Sequence, residues 1–204
     1  MEHANVKLSK NELALVTDKQ FILTKNLIIK KVYLLFGELS SDFQNIMLTK
    51  NGLLPPEAFI ASPKIAKGEL YLELPYVVLD YPRFYTRTDV LAIRCFFWWG
   101  NFFSITLHLA GELLSTHKPA LDNWAQNHAD CGWYVSVNTD AWQHHFETDN
   151  YIPLASTEHE KKGEIDFGER NFIKLAKKLP LEQWDNALAF FLGEFKELLA
   201  LLEN

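Results

Sequence analysis

Only two cysteines occur in the 204 residues, Cys95 and Cys131, and both stand in apolar or aromatic company. Two thiols do not make the disulfide framework of a small secreted fold, so a reducing compartment is expected. The first residues, Met1 to Lys7, hold no basic segment followed by an apolar run, which makes the cytoplasm the expected location. Positive charge is also in deficit. Lys and Arg number 20 against 26 Asp and Glu, for a formal net charge of −6, whereas a protein that tracks phosphate backbones needs a basic face. No nucleic-acid partner is expected, and Lys25, Lys30 and Lys31 read as a solvated helix face.

Long apolar runs are scarce as well. The 17 residues from Cys95 to Gly111 lack Asp, Glu, Lys and Arg, but Gly100-Asn101, Ser104, Thr106 and His108 interrupt them. Two strands fit that stretch better than a membrane span. Ala187 to Leu202 is interrupted by Glu194, Lys196 and Glu197 and reads as an amphipathic helix. No membrane partner is expected. Missing too are a Gly-rich phosphate loop, a Gly-x-Ser-x-Gly elbow, a His-Glu-x-x-His pair and a Cys-x-x-Cys pair, so no catalytic signature and no cofactor is indicated.

What the chain does have is apolar bulk: 48% apolar residues, with 15 Phe, 7 Tyr and 6 Trp. That supports one large core and a single domain over residues 1–204. Ser9 and Glu12 have capping-box spacing and open a helix that runs to about Thr17. From Thr24 to Leu48, Ile28, Val32, Leu35, Phe36, Leu39, Phe43, Ile46 and Met47 recur at three and four, the stripe of a long helix. Leu181 to Leu202 carries a similar stripe, too apolar to be left in water, so this terminal helix is expected in the core. Shorter helices are expected over Pro119–Asn127 and Arg170–Lys178, and a charged turn over Ser156–Lys162.

Strands gather in the middle of the chain. Glu69 to Leu74 alternates with period two, Tyr76 to Tyr81 follows beyond Pro75, and Trp133 to Thr139 alternates again. Leu91–Trp99 and Phe102–Leu109 flank Gly100-Asn101, which suits a two-residue hairpin loop. Helices at the ends and strands between them give α+β rather than alternating βαβ units. The expected fold is a largely antiparallel sheet of about five strands, packed on one face by the long N-terminal and C-terminal helices.

In the two-residue register, Phe97, Trp99, Ser104, Thr106 and His108 share one sheet face, aromatic walls beside hydroxyls and an imidazole. Such a mixture is how small-ligand pockets are built, although a half-solvated sheet face would look the same. Arg83, Arg87 and Arg94 are three of only four arginines, and Arg83 follows the rigid turn Leu79-Asp80-Tyr81-Pro82. A guanidinium there could take a carboxylate or phosphate, or simply pair with Asp80. The same register puts Arg94 on the apolar face, where it requires a carboxylate, Asp80 first. His128, Cys131, His144 and His145 lack the four-ligand spacing of a zinc site, so no metal is expected, and a buried, inert Cys131 beside Trp133 is the plain reading.

The favoured reading is a non-enzymatic module binding a small anionic, aromatic or apolar molecule through Phe97, Trp99, Ser104, Thr106, His108 and Arg83. The alternative is a protein-interaction or structural protein, including a homodimer joined by Trp124, Trp142 or Tyr151. A hydrolase or transferase using His108, His144 or Cys131 ranks last, because acid, base and nucleophile cannot be assigned to one site.

Overall fold

Helices α1 (Lys10–Thr17) and α2 (Lys19–Leu48) open the chain, followed by a short α3 (Pro56–Ile60). Strands β1 (Lys64–Tyr71), β2 (Leu74–Tyr85), β3 (Val90–Trp98) and β4 (Phe102–Ala110) come next, then α4 (Gly111–His128). The remainder comprises β5 (Tyr134–Ser136), β6 (Tyr151–Pro153), β7 (Phe172–Pro180), a 3-10 helix (Leu181–Asn186) and α5 (Ala187–Leu202). This computed structural model describes residues 6–50, 56–128, 131–154 and 170–203. The charged turn expected over Ser156–Lys162 lies outside them.

The fold is α+β, with one antiparallel sheet of seven strands rather than five, in the order β1-β2-β3-β4-β7-β5-β6. No helix among the described residues is long and apolar enough to cross a membrane. One sheet face is covered by helices. Val32, Phe36, Leu39, Phe43 and Met47 form the buried stripe of α2, and Phe191, Phe195, Leu198 and Leu202 that of α5. Between them Phe43 stacks on Phe195 with ring centroids 3.7 Å apart, and Phe191 meets Phe36 and Phe103 edge-on. The terminal helix is thus part of the core, as its stripe requires. At the other end the capping box is formed: Glu12 N–H donates to Ser9 Oγ, and Ser9 N–H to the Glu12 carboxylate.

The hairpin differs from the expected one by a single residue. Trp98 pairs with Phe102, so the loop is Trp99-Gly100-Asn101, with Gly100 at φ 72°. The reason lies outside the hairpin. Trp99 N–H donates to Pro75 O at 2.9 Å, so Trp99 belongs to the β2 side of its own strand and not to the ladder with β4. A one-residue shift moves every side chain of β3 across the sheet relative to β4. Phe97, Cys95, Ile93 and Leu91 consequently lie with Phe103, Ile105, Leu107 and Leu109 under the helices, while Trp98, Phe96 and Arg94 join Phe102, Ser104 and Thr106 opposite.

Other expectations change too: the strand expected over Trp133–Thr139 is only β5, Tyr134–Ser136, and the strand expected to end at Pro82 runs on to Tyr85 in β2. The alternation from Glu69 to Leu74 spans a turn: Leu72 and Glu73 both have positive φ, and Leu70 and Leu72 are exposed. Glu69 and Leu70 bulge opposite Pro75, which has no N–H for the ladder. The bare Cα of Gly68 lets the Tyr76 ring lie against the strand, since a Cβ there would sit 2.4 Å from it. The helix expected over Pro119–Asn127 begins earlier, at Gly111, with Pro119 inside it. Arg170–Lys178, expected as a helix, is instead β7 from Phe172, paired with β4 along nine residues. Ile173, Leu175 and Leu179 reach the helix-covered core, so sheet packing overrides the helix preference of its lysines, leucine and alanine.

Candidate functional site

Opposite the helices, the sheet is covered by the protein's own chain. The connection between β5 and β6, residues 137–150, folds over the second face, and its two ends are hydrogen-bonded to each other. Val137 N–H donates to Asn150 O at 2.8 Å, and Asn138 Nδ2 donates to Asp149 O at 3.1 Å. In its middle, the Tyr71 hydroxyl accepts the N–H of His144 at 2.6 Å and of His145 at 3.0 Å. Phe146 stacks on Tyr151 at 4.8 Å. Asp140 accepts from Trp142 N–H and Gln143 Nε2 and so shapes the turn that lays the exposed Trp142 over Arg94 and carries His144 inward.

Beneath this connection lies a buried polar layer. Arg94 makes two parallel bonds to Asp80, Nε to Oδ1 at 2.7 Å and Nη2 to Oδ2 at 2.8 Å, the bidentate geometry that only guanidinium offers. Its remaining Nη1 donates to His144 Nε2 at 3.1 Å, and its plane lies over Trp142 with 5.6 Å to the ring centroid. Burial opposes the Arg94 charge, but the Asp80 carboxylate outweighs it and the pKa rises above the ordinary arginine value. Lys174, fully buried on β7, donates from Nζ to Gln143 O and lies 5.0 Å from the Tyr151 ring. Among the described residues no carboxylate pairs with it, and burial, helped by the Arg94 charge, pulls its pKa down to about 8.

Burial disfavours the charged form of His108 and of His144. Burial, then the charges of Lys174 and Arg94, lower His108 to about 4. His144 falls well below the ordinary histidine value through burial and the charges of Arg94 and Lys174, which fits its role as acceptor from Arg94. Tyr85 keeps over a third of its surface exposed, yet its phenol is pushed up to about 12 by burial of its hydroxyl end and by the Asp80 charge. The Tyr151 hydroxyl, beside Thr106, has no well-formed hydrogen bond.

The six residues expected to form a ligand site are separated. Ser104, Thr106 and His108 come together in this layer, buried at 2%, 5% and 8% exposure beneath residues 137–150. Phe97 is on the opposite face in the helix-covered core, and Trp99 packs against that core from the loop. Arg83 sits on a long continuous β2 rather than on a turn, and its Nε donates to Ser62 O at 2.9 Å. The expected arginine pairing of Asp80 is made by Arg94. The interface aromatics also differ: Trp124 and Tyr151 are buried, and only Trp142 is exposed. Cys131, expected to be buried, is exposed.

Chemically, the charged groups of this layer are largely committed to one another. The cation of Arg94 answers Asp80, the His144 acceptor answers Arg94, and the Lys174 ammonium answers a carbonyl, while the Tyr151 hydroxyl beside Thr106 has no well-formed partner among the described residues. Cys95 is remote on the other face, its thiol pushed well up by burial and the Asp80 charge. No three His, Cys, Asp or Glu side chains among the described residues converge to hold a metal ion. Among the surface clefts, one of about 330 Å³ lies at Ser136–Thr139 and Arg170–Phe172, and one of about 480 Å³ lies between α2 and α5 at Asn45, Thr49, Lys196 and Leu199.

A second feature lies at the N-terminus, and the periodicity of the core stripe hid it. Helix α1 has no buried residue, and α2 has none before Val32. Leu13, Leu15, Val16, Phe21, Ile22, Leu23, Leu27 and Leu34 all stand between 47% and 70% exposed. Lysines accompany them. Residues 6–37 contain six Lys against Glu12 and Asp18, a net +4, which leaves −10 for the rest of a chain of net −6. The arm is therefore apolar and basic on an acidic body. No family model matches the chain, and no curated protein or solved structure matches it either.

Proposed function

We propose that the chain is a non-enzymatic interaction module that assembles with a second copy of itself through its N-terminal helical arm. The observation that carries this reading is the row of eight large apolar side chains left in water along α1 and α2. Fully burying such a side chain removes roughly 60–120 Å² of apolar surface, so at half exposure the eight hold on the order of 400 Å². A standard interface needs about 800 Å² per partner, of which about 450 Å² is apolar. The arm alone nearly supplies that amount. Charge favours the same partner, because a basic arm meets an acidic body when two copies pair. A cytoplasmic setting suits the two unpaired thiols.

The small-ligand reading loses its surface. The hydroxyls and imidazole that were to orient a ligand are filled over by Trp142, His144 and Phe146, and the aromatic walls stand on the other side of the sheet. Sedimentation velocity over a concentration series tests the proposal. The wild-type chain is expected to be dimeric, and Phe21→Asp with Leu27→Asp should return it to monomer with unchanged circular dichroism. A wild-type chain still monomeric at about 100 µM, beyond the micromolar limit of interfaces this size, would refute self-assembly.

A further inference from the structure

Resting on that reading, we infer that the two copies pair through the outer face of α2, antiparallel, about a two-fold axis at Leu34. The core stripe of α2 occupies one side of the helix, at Val32, Phe36, Leu39, Phe43 and Met47. On the opposite side Leu23, Leu27, Lys30, Leu34, Gly37 and Ser41 follow one another at intervals of four and three. That spacing is the seam of a helix pair. Leu23, Leu27, Lys30, Leu34 and Ser41 are exposed, and a Cβ built on Gly37 meets nothing within 4 Å, so the face is open to a close neighbour.

The charges fix the direction. Lys30 stands four residues before Leu34 and Glu38 four after it, both exposed, and neither has an ion-pair partner among the described residues. Within one helix they lie eight residues apart, about 12 Å along the axis, too far to pair. An antiparallel partner about Leu34 brings Lys30 opposite the second copy's Glu38, twice by symmetry, and Leu34 opposite itself. A parallel pair would instead set lysine against lysine and glutamate against glutamate. In the antiparallel register Lys31 falls opposite Gly37, where the missing side chain leaves room for its stem. Residue 19 falls opposite residue 49, which carries the α1–α2 junction of one copy onto the cleft at Asn45, Thr49 and Leu199 of the other.

Two experiments test the register apart from self-assembly itself. Lys30→Glu and Glu38→Lys, each turning two attractive pairs into repulsive ones, should each weaken the dimer by about tenfold, and the double variant should recover wild-type affinity. Leu34→Cys in a Cys131→Ser background should oxidise to a covalent dimer, whereas Leu48→Cys, far from the axis, should not. If the arm variant Phe21→Asp with Leu27→Asp abolishes a dimer that Lys30→Glu and Glu38→Lys leave intact, the register is wrong while self-assembly stands. A monomeric wild-type chain overturns both.

Discussion

Replacing Arg94 by alanine is expected to cost about 3–5 kcal/mol, the range for breaking one partner out of a buried ion pair. The structure sets the magnitude toward that range. Both side chains are largely enclosed, Arg94 at 17% and Asp80 at 9% exposure, and the pair is bidentate at 2.7 and 2.8 Å. Truncation leaves the Asp80 carboxyl enclosed without its partner, takes the donor from His144 Nε2, and removes the cation over Trp142. For a chain of this size the urea dependence is about 2.5 kcal/mol per molar, so the unfolding midpoint should fall by about 1.5 M at fixed protein concentration. A midpoint unchanged within error would refute the reasoning. The double substitution Asp80→Leu with Arg94→Met should recover most of the loss, because an apolar pair of similar volume escapes the desolvation penalty. Recovery identifies the cost of Arg94→Ala with the stranded polar partner and not with lost packing, and the coupling from the full cycle measures the pair. Amide exchange over residues 139–150 should rise in Arg94→Ala, since His144 is one of that segment's attachments to the sheet.

Acid should weaken the same layer before it titrates the rest of the chain. His108 titrates near 4 in the folded protein and at 6.5 as a free side chain, so the unfolded state binds its proton first. Stability is then full above pH 6.5 and is lost progressively as pH falls toward 4, by about 3 kcal/mol from this group, and His144 acts in the same direction. Urea unfolding at pH 7 and 4.5 checks this, with a smaller pH dependence expected for His108→Gln. In the helix layer, Phe195→Ala should cost about 3–5 kcal/mol because it vacates a fully buried site stacked on Phe43, and a chain ending at Pro180 should lose cooperative thermal unfolding. A cooperative transition in that shortened chain would show α5 to be dispensable.

Helices were legible wherever one side of the pattern met one core. The Ser9–Glu12 box, the α2 stripe and the terminal stripe are local signals, and each lies on a helix, although α2 begins at Lys19 rather than Thr24 and the terminal stripe starts in the 3-10 helix Leu181–Asn186 before α5. Strands were legible as runs but not in their pairing, because pairing is decided by a third element. Trp99 N–H goes to Pro75 O, and no feature of Gly100-Asn101 announces that. The turn at Leu72-Glu73 lacks the Gly or Asn that signals positive φ, so the alternation ran on through it. In β7 the alternation of Ile173, Leu175 and Leu179 was present, masked by helix-forming lysines of which Lys174 is buried.

The two sites failed to show for opposite physical reasons. Arg94 was expected to pair with Asp80 and does, although the register that motivated the expectation was displaced by one residue. The expectation survives because a guanidinium withdrawn from water requires a carboxylate on whichever face it lies, whereas the grouping of Phe97 with Ser104 depended on the face alone. The arm stayed hidden because its residues look like core residues, and a sequence does not state how far the core extends. A helix of 30 residues reaches about 45 Å, while the strands it packs on, the twelve-residue β2 and the eight-residue β1, span about 40 and 26 Å. The sheet gives out before the helix does. Phe21, Ile22, Leu23 and Leu27 are apolar yet stand about half exposed in this part of the helix, and that exposed apolar surface is what a second copy would cover.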